Sequence, residues 1–234
     1  MEILKYIKSF FKHPGSVPAG SPYPPYDIEA YIKNHLITVE EKGASLREKY
    51  GEDFNAFLYR PDLDEFIRGE LHSFLDIRPP NDRYFDDDHW NNKHPFNFPG
   101  PFYTGESDTC GTGDGEAPFN VLYDSYCCEY VFRQPKTYGQ LLCVMDAAAV
   151  EVFDSYSCNG NAHWTYNACK EWWSSRFDLI AQLNTPEVKR ANGERVHLYL
   201  DYLSDGAEID LRRYCYFLES GHYPDIDVNE LPEL

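Results

Sequence analysis

Apolar residues recur every three or four positions through much of the chain, which is the spacing of one face of an α-helix. This spacing predicts helices over 27–42, from Asp62 to Leu75, over 137–156, and in a series that ends at Gly221. Pro79 and Pro80 would stop the second of these helices, because proline lacks the amide hydrogen that a helix interior needs. We expect seven or eight helices, and therefore a mainly α fold built as a single-domain helical bundle.

Two segments fit a strand as well as a helix. The segment 120–133 is rich in Tyr, Val, Phe and Cys, which favour strands. In the segment 195–217, Val196, Leu198 and Leu200 alternate as the buried side of a strand would. Minor β structure is therefore possible at 120–133 and at 195–217.

The segment 78–117 has no helical or strand periodicity, and it contains many prolines and glycines. A stretch of this length without regular structure is unusual in a compact domain and tends to be functional or disordered. Its many aromatic residues argue against disorder. We expect an ordered loop inserted on one face of the helical body.

The N-terminal region divides into two parts. Residues 1–12 read as an amphipathic helix with Lys5, Lys8 and Lys12 on its polar side, and residues 13–26 form a proline-rich connector. The remainder, 27–234, is expected to be one mainly α domain. The favoured interpretation is that the first helix docks on the body of the protein. The alternative is that it anchors the protein at a membrane surface.

Targeting signals and cysteines point to the cytoplasm. No stretch approaches 18 apolar residues, so we expect no transmembrane helix. The three lysines interrupt any signal-peptide core. The seven cysteines are odd in number and form no CxxC motif, which favours free thiols in a reducing compartment.

The net charge of −18 is unevenly distributed. Residues 61–130 hold 4 basic and 15 acidic side chains, a net of −11, and residues 191–234 hold 3 and 10, a net of −7. Residues 1–60 and residues 131–190 each have a net charge of 0. Such a charge argues against a protein that grips nucleic-acid phosphates or adsorbs to an anionic membrane over a wide face. It favours a partner with a basic surface.

The aromatic residues interleaved with the acids of 86–116 favour a binding face, because Tyr and Trp are common interface anchors. The predicted partner-binding residues are Asp86, Asp87, Asp88, Trp90, Tyr103, Glu106, Asp108, Asp114 and Glu116.

The glycine-rich segment 105–116 is the strongest candidate for a catalytic or ligand-binding site. It lacks the P-loop and EF-hand patterns. Cys110 is a possible nucleophile if His89, His94 or His163 activates it, and a non-standard cation site is another possibility. A structural turn is the favoured interpretation, because glycines permit positive φ.

A second metal candidate consists of Asp86 to Asp88 with His89 and His94, but no second motif supports it. We therefore predict no catalytic residue, no metal site and no cofactor, and lean against an enzyme.

No motif assigns a named family, and the segments that would carry one are Gly100–Gly113 and Asn161–Trp164. In overall character the chain resembles the bacterial immunity proteins encoded beside polymorphic toxins: a small acidic domain, rich in aromatics and thiols, with no catalytic signature. The likeness is one of kind and aligns no stretch. It implies a cytoplasmic inhibitor that plugs a toxin's active cleft, with acids of 86–116 pairing with toxin Lys and Arg and with Trp90 and Tyr103 as anchors.

Two alternatives stay open. One is a small hydrolase-type enzyme that uses Cys110 or a cation bound in 105–116. The other is an acidic mimic of nucleic acid that blocks a nucleic-acid-binding protein.

Overall fold

A long helix, α1 (Ile28–Tyr50), opens the part of the chain that the computed structural model describes, which comprises residues 28–75, 85, 87–107, 111–225 and 227–234. The helix predicted over 1–12 and the connector over 13–26 lie outside the described residues. Among the side chains of α1 whose burial is described, Val39 and Leu46 are buried. Gly51 follows the helix at a φ of +99°, a conformation that glycine adopts at little cost.

Short helices follow α1. They are α2 (Phe54–Leu58), then α3 (Leu63–Phe66), which continues through a π-helical turn at Ile67–Leu71 into α4 (His72–Phe74). Asp62 precedes α3 as expected, but its carboxylate binds the Arg60 guanidinium at 2.7 Å and makes no capping bond.

The predicted loop 78–117 contains little regular structure where it is described. It includes a 3-10 turn at Trp90–Asn92, the strand β1 (Tyr103–Thr104) and the helical turn α5 (Gly113–Glu116). Phe85, Phe98 and Phe102 of this loop are buried in the core. The described part of the loop is thus integral to the body rather than laid on its surface.

The ambiguous segment 120–133 is a β-hairpin. Strand β2 (Val121–Tyr123) pairs antiparallel with β3 (Glu129–Val131), with Val121 opposite Val131. The second small sheet pairs β1 with β4 (Tyr156–Ser157), with Tyr103 opposite Ser157.

The helix predicted over 137–156 is shorter in the structure. It is α6 (Tyr138–Val150), and the Thr137 hydroxyl caps its start by accepting from Gln140 N. A turn then follows, with Asp154 at a φ of +52°, before β4 begins. Val152, which lies within the range predicted for this helix, is 70% exposed.

Helices α1 and α6 pack antiparallel and very closely. A Cβ on Gly43 of α1 would lie 2.9 Å from Gly139 N of α6, so the absence of a side chain permits this approach.

From Gly160 to Ser220 the chain is mostly helical, as predicted, and the strand alternative at 195–217 is wrong. Thr185 caps a helix that begins with a proline, and Gly221 ends the last helix in the left-handed conformation. The helices are α7 (Gly160–His163), α8 (Tyr166–Ser174), α9 (Arg176–Leu183), α10 (Pro186–Asn192), α11 (Val196–Ser204) and α12 (Ala207–Ser220).

The prediction of a mainly α fold with minor β structure is confirmed. Nearly all buried apolar residues of the described chain form one cluster that runs from α1 to α12. The division into a single domain over 27–234 stays a prediction. None of the described helices combines the length and the apolar character needed to cross a membrane.

Tyrosine, abundant in the sequence, is largely a core residue. Among the residues that the structure describes, six tyrosines are fully buried, and most of their hydroxyls are hydrogen bonded; Tyr199, for example, donates to Phe96 O at 2.9 Å. The six are Tyr103, Tyr130, Tyr138, Tyr156, Tyr199 and Tyr214.

Candidate partner-binding face and its surroundings

The predicted partner-binding residues separate into three groups. Asp87, Asp88 and Glu106 are exposed, and Trp90 is half-buried. Tyr103, Asp114 and Glu116 are engaged inside the fold. Asp86 and Asp108 lie outside the described residues.

Tyr103 is fully buried, so it is not the surface anchor we expected. Its hydroxyl lies 3.0 Å from Asp88 Oδ1 and 2.7 Å from Asn159 Oδ1. The ring is enclosed because β1 pairs with β4 at this point. Tyr103 is instead a buried residue whose hydroxyl donates a hydrogen bond to Asp88.

Asp88 is the centre of a polar and aromatic cluster. Partial burial acts to raise its pKa, but hydrogen bonds from Trp90 N–H and the Tyr103 hydroxyl, together with the His163 ring, hold the pKa below its usual value. His163 Nε2 lies 3.1 Å from Asp88 Oδ2, and the imidazole stacks on the Trp90 ring with centroids 5.0 Å apart. Asp88 is thus an ionised, fixed carboxylate at the surface.

The α5 acids serve the fold. Asp114 pairs with the guanidinium of Arg195, a side chain only 9% exposed, and its Oδ1 accepts from the Tyr123 hydroxyl at 2.7 Å. Glu116 lies against His35 of α1, with Oε2 3.3 Å from His35 Nε2. Both carboxylates join distant elements of the fold, and their place in a partner-binding face stays a prediction.

A fully buried carboxylate, which the sequence did not single out, holds α5 in place. Glu129 of β3 accepts from Gly113 N at 2.8 Å and from the Tyr156 hydroxyl at 2.6 Å. A Cβ on Gly113 would lie 2.3 Å from Glu129 Oε2, so only glycine fits there. Gly113 therefore has a packing role in this part of the glycine-rich segment.

The exposed acids lie beside exposed apolar side chains. His89 Nε2 is 2.7 Å from Asp154 O, and Gly105 N donates to Ser155 O at 2.8 Å, so the turn at 152–154 abuts both acidic stretches. Large apolar side chains are exposed here: Val152 is 70% exposed and Phe153 65%.

Tyr126, 79% exposed, stands at the tip of the β2–β3 hairpin. It borders a cavity of about 400 Å³ together with Glu106. We define the loop face as Asp87, Asp88, Glu106, Tyr126, Val152 and Phe153.

The same cavity holds a cysteine, a histidine and an aspartate that resemble a nucleophilic triad in composition only. His94 Nδ1 accepts from Phe96 N at 3.1 Å, and Nε2 lies 3.3 Å from Asp124 Oδ2, so both ring nitrogens are engaged. Burial, Asp124 and Glu106 raise the pKa of Cys128, which disfavours its thiolate. The geometry braces the hairpin and does not activate a thiol.

Asp124 organises that hairpin. Its Oδ1 accepts from Tyr126 N at 2.8 Å and Cys128 N at 2.9 Å. Partial burial acts to raise its pKa, but these bonds and the bond from His94 lower it overall. The tight turn places Cys127 at a φ of +66°.

Cys110, the predicted nucleophile, lies outside the described residues. Its three possible activating histidines are held apart by different partners: His89 by Asp154 O, His94 by Asp124 and His163 by Asp88. His89 and His94 therefore do not converge with Asp88 on a common point. Within the described part of the chain, the one group of three ligand-type side chains whose donor atoms lie within 4.8 Å of one another is His35, Glu116 and Asp146.

The acidic C-terminal tail is anchored on α8 and α12. Arg212 donates to Leu231 O at 2.9 Å and Pro232 O at 2.8 Å, and the Tyr166 hydroxyl donates to Glu233 O. Trp172, at the other end of α8, donates to Pro95 O of the loop. The loop and the tail thus contact the same helix.

Comparison of the chain with protein-family models, curated proteins and solved structures finds no match in any of the three.

Proposed function

We propose that the protein is a cytoplasmic immunity-type inhibitor that binds a toxin domain with a basic surface through the loop face. The observation that carries the proposal is the juxtaposition of exposed acids with exposed apolar side chains. The acids are Asp87, Asp88 and Glu106, and the apolar residues are Tyr126, Val152 and Phe153.

The apolar residues supply a reason for binding. Large exposed apolar side chains beside charged groups are typical of an interaction site. Burying each of these side chains against a partner is worth about 1.5–3 kcal/mol before the costs of association. Tyr126 stands out as an anchor, because an aromatic ring on a hairpin braced by Asp124 loses little conformational freedom on binding.

The acids supply the choice of partner. Negative charge beside the apolar residues attracts Lys and Arg of a partner and speeds the encounter.

Lys93, which also borders the cavity, sits 4.2 Å above the Trp90 ring centroid, and burial lowers its pKa. The ring therefore provides part of its electrostatic environment.

The cytoplasmic assignment is supported by the thiols. All six described cysteines are free, and Cys143, Cys158, Cys169 and Cys215 are buried. Burial raises the pKa of Cys143 and of Cys158 to about 12 each, so both behave as small apolar core residues. A reducing compartment suits this arrangement.

The test begins with the protein encoded by the neighbouring reading frame. It is produced in growing cells with and without this chain, and the affinity of the purified pair is measured by calorimetry. We expect growth to be rescued and a 1:1 complex to form. The proposal would be contradicted if the two proteins did not interact, or if a variant that no longer binds the partner still rescued growth.

A charge-matched pair of variants locates the site. Reversing the loop-face acids (Asp87→Lys, Asp88→Lys, Glu106→Lys) should weaken the complex about 100-fold. The same change in charge on distant helices (Glu48→Lys, Asp201→Lys, Glu219→Lys) should leave the affinity within a few fold. Equal losses in both variants would reduce the effect to net charge alone.

The remaining alternatives have distinct signatures. A nucleic-acid mimic would compete with DNA or RNA for the partner. An enzyme that used Cys110 would lose rescue in a Cys110→Ser variant while the complex still formed, and the proposal predicts that rescue persists.

A further inference from the structure

Three ligand-type side chains from separate elements converge at one side of the α1–α6 pair. His35 lies on α1, Glu116 at the end of α5 and Asp146 on α6. His35 Nε2 is 3.3 Å from Glu116 Oε2 and 3.8 Å from Asp146 Oδ2. All three donor atoms lie within 4.8 Å of one another.

These separations are close to those of a metal site. Donors bound at about 2.0–2.1 Å in tetrahedral geometry are roughly 3.3 Å apart. The His35–Glu116 pair is already at that distance, and Asp146 Oδ2 lies 3.8 Å from the same nitrogen. Asp146 is on the solvent side of the group, with its side chain 45% exposed, which leaves an entry path.

Electrostatics also favour a cation here. Burial and the nearby Glu116 carboxylate raise the pKa of Asp146, although His35 and Lys42 act in the opposite direction. Two carboxylates held this close repel each other when both are ionised, and a bound cation removes that repulsion.

The ligands are held by rigid elements rather than by flexible loops. Gly43 and Gly139 bring α1 and α6 into close contact. The α5 turn is fixed by Gly113 N on Glu129 and by Asp114 on Arg195. Preorganisation of this kind lowers the cost of binding an ion. His35 Nε2 also lies 3.1 Å from Glu116 O, a contact that this nitrogen exchanges for the ion on binding.

We propose that His35, Glu116 and Asp146 bind a divalent transition-metal ion, with Zn²⁺ as the probe. One imidazole nitrogen and two carboxylate oxygens suit Zn²⁺, Mn²⁺ or Fe²⁺, whereas Ca²⁺ and Mg²⁺ prefer oxygen ligands alone. Water can complete the coordination. Binding joins the start of the described chain to α6 and to the glycine-rich segment, and it is independent of the loop face.

The test uses untagged full-length protein that has been dialysed against a chelator. Calorimetry with Zn²⁺ should give one ion per chain, and His35→Ala, Glu116→Gln and Asp146→Asn should each weaken binding by more than the roughly tenfold that loss of an outer partner costs. His197→Ala removes an exposed histidine elsewhere and should bind as the wild type does. Mg²⁺ should bind far more weakly than Zn²⁺.

Co²⁺ provides a second readout. Its visible absorption should appear on binding to the wild type and disappear in Asp146→Asn, a variant of a half-exposed residue that does not depend on a buried substitution. Absence of Zn²⁺ binding to the wild type would overturn the proposal. So would Zn²⁺ binding that survives all three substitutions.

Discussion

Two groups of acids lie within thirty residues of each other in the sequence, yet they have opposite fates. Asp87, Asp88 and Glu106 reach the surface beside exposed Val152 and Phe153. In α5, by contrast, the two acids point inward, toward a guanidinium and an imidazole more than eighty residues away in either direction. The acidic residues of this region therefore divide into two kinds. Some carboxylates form ion pairs and hydrogen bonds within the fold, and others are exposed to solvent.

The sharpest way to test this contrast is to neutralise one acid from each group. Asp114→Asn should lower the free energy of unfolding by about 3 kcal/mol, because the largely buried Arg195 guanidinium loses its carboxylate. Asp87→Asn should change it by no more than about 0.5 kcal/mol. Urea unfolding measures both, and equal effects would erase the distinction.

The next largest effect concerns the backbone of α5. Gly113→Ala places a Cβ 2.3 Å from Glu129 Oε2, and relief of the clash should cost about 2 kcal/mol. Gly115→Ala, two residues on, meets no atom within 4 Å among the described residues and should be neutral or slightly stabilising. Thermal unfolding of the two variants compares them directly; a tolerated Gly113→Ala would contradict the account of α5.

Asp124 tests whether an acid that lines the cavity can still serve the fold. The folded-state pKa lies below the usual 3.8, so its ionised form stabilises the protein above that pH, and this contribution is lost as the pH falls through the folded value. Asp124→Asn should cost about 1.5 kcal/mol at pH 7. The difference from the wild type should shrink below pH 4 in urea titrations, and a pH-independent difference would be evidence against it.

The smallest effect has the opposite sign. The pKa of Asp146 is raised, so its ionisation above the usual 3.8 costs stability, and metal-free Asp146→Asn should gain about 0.5 kcal/mol at neutral pH, a gain kept small by solvent screening. Saturating Zn²⁺ should reverse the order, because only the wild type gains stability from the ion. Calorimetric melting with and without Zn²⁺ measures both; a destabilised metal-free variant would contradict the assigned repulsion.

The helices of the second half were predictable because their signals are local. The last helix has a continuous stripe from Leu211 to Leu218 and a glycine stop at Gly221, and α10 begins with Thr185-Pro186. The hairpin at 120–133 was ambiguous, because a strand is decided by its partner and not by its own residues. The early end of α6 is not predictable in this way, because the apolar stripe of the sequence continues to Val152 while the helix ends at Val150 and a turn at Asp154 follows.

The candidate site was predictable only in part, because the partners that decide the role of each side chain lie far away in the sequence. Nothing next to Asp114 in the sequence distinguishes it from Asp87, since its partner Arg195 lies 81 residues away. His35 occupies an ordinary helical position whose ligand-type neighbours come from α5 and α6. Tyr103 looked like an anchor because aromatic residues in a loop suit both an interface and a core, and only packing decides between the two.

The most direct test of the central claim is a hydrogen-exchange footprint of the complex with the basic protein encoded by the neighbouring reading frame. Exchange of backbone amides is compared with and without the partner. We expect slower exchange at 87–90, 105–107, 124–128 and 151–154, and unchanged exchange in α5. Protection confined to other parts of the chain would contradict the assignment of the loop face.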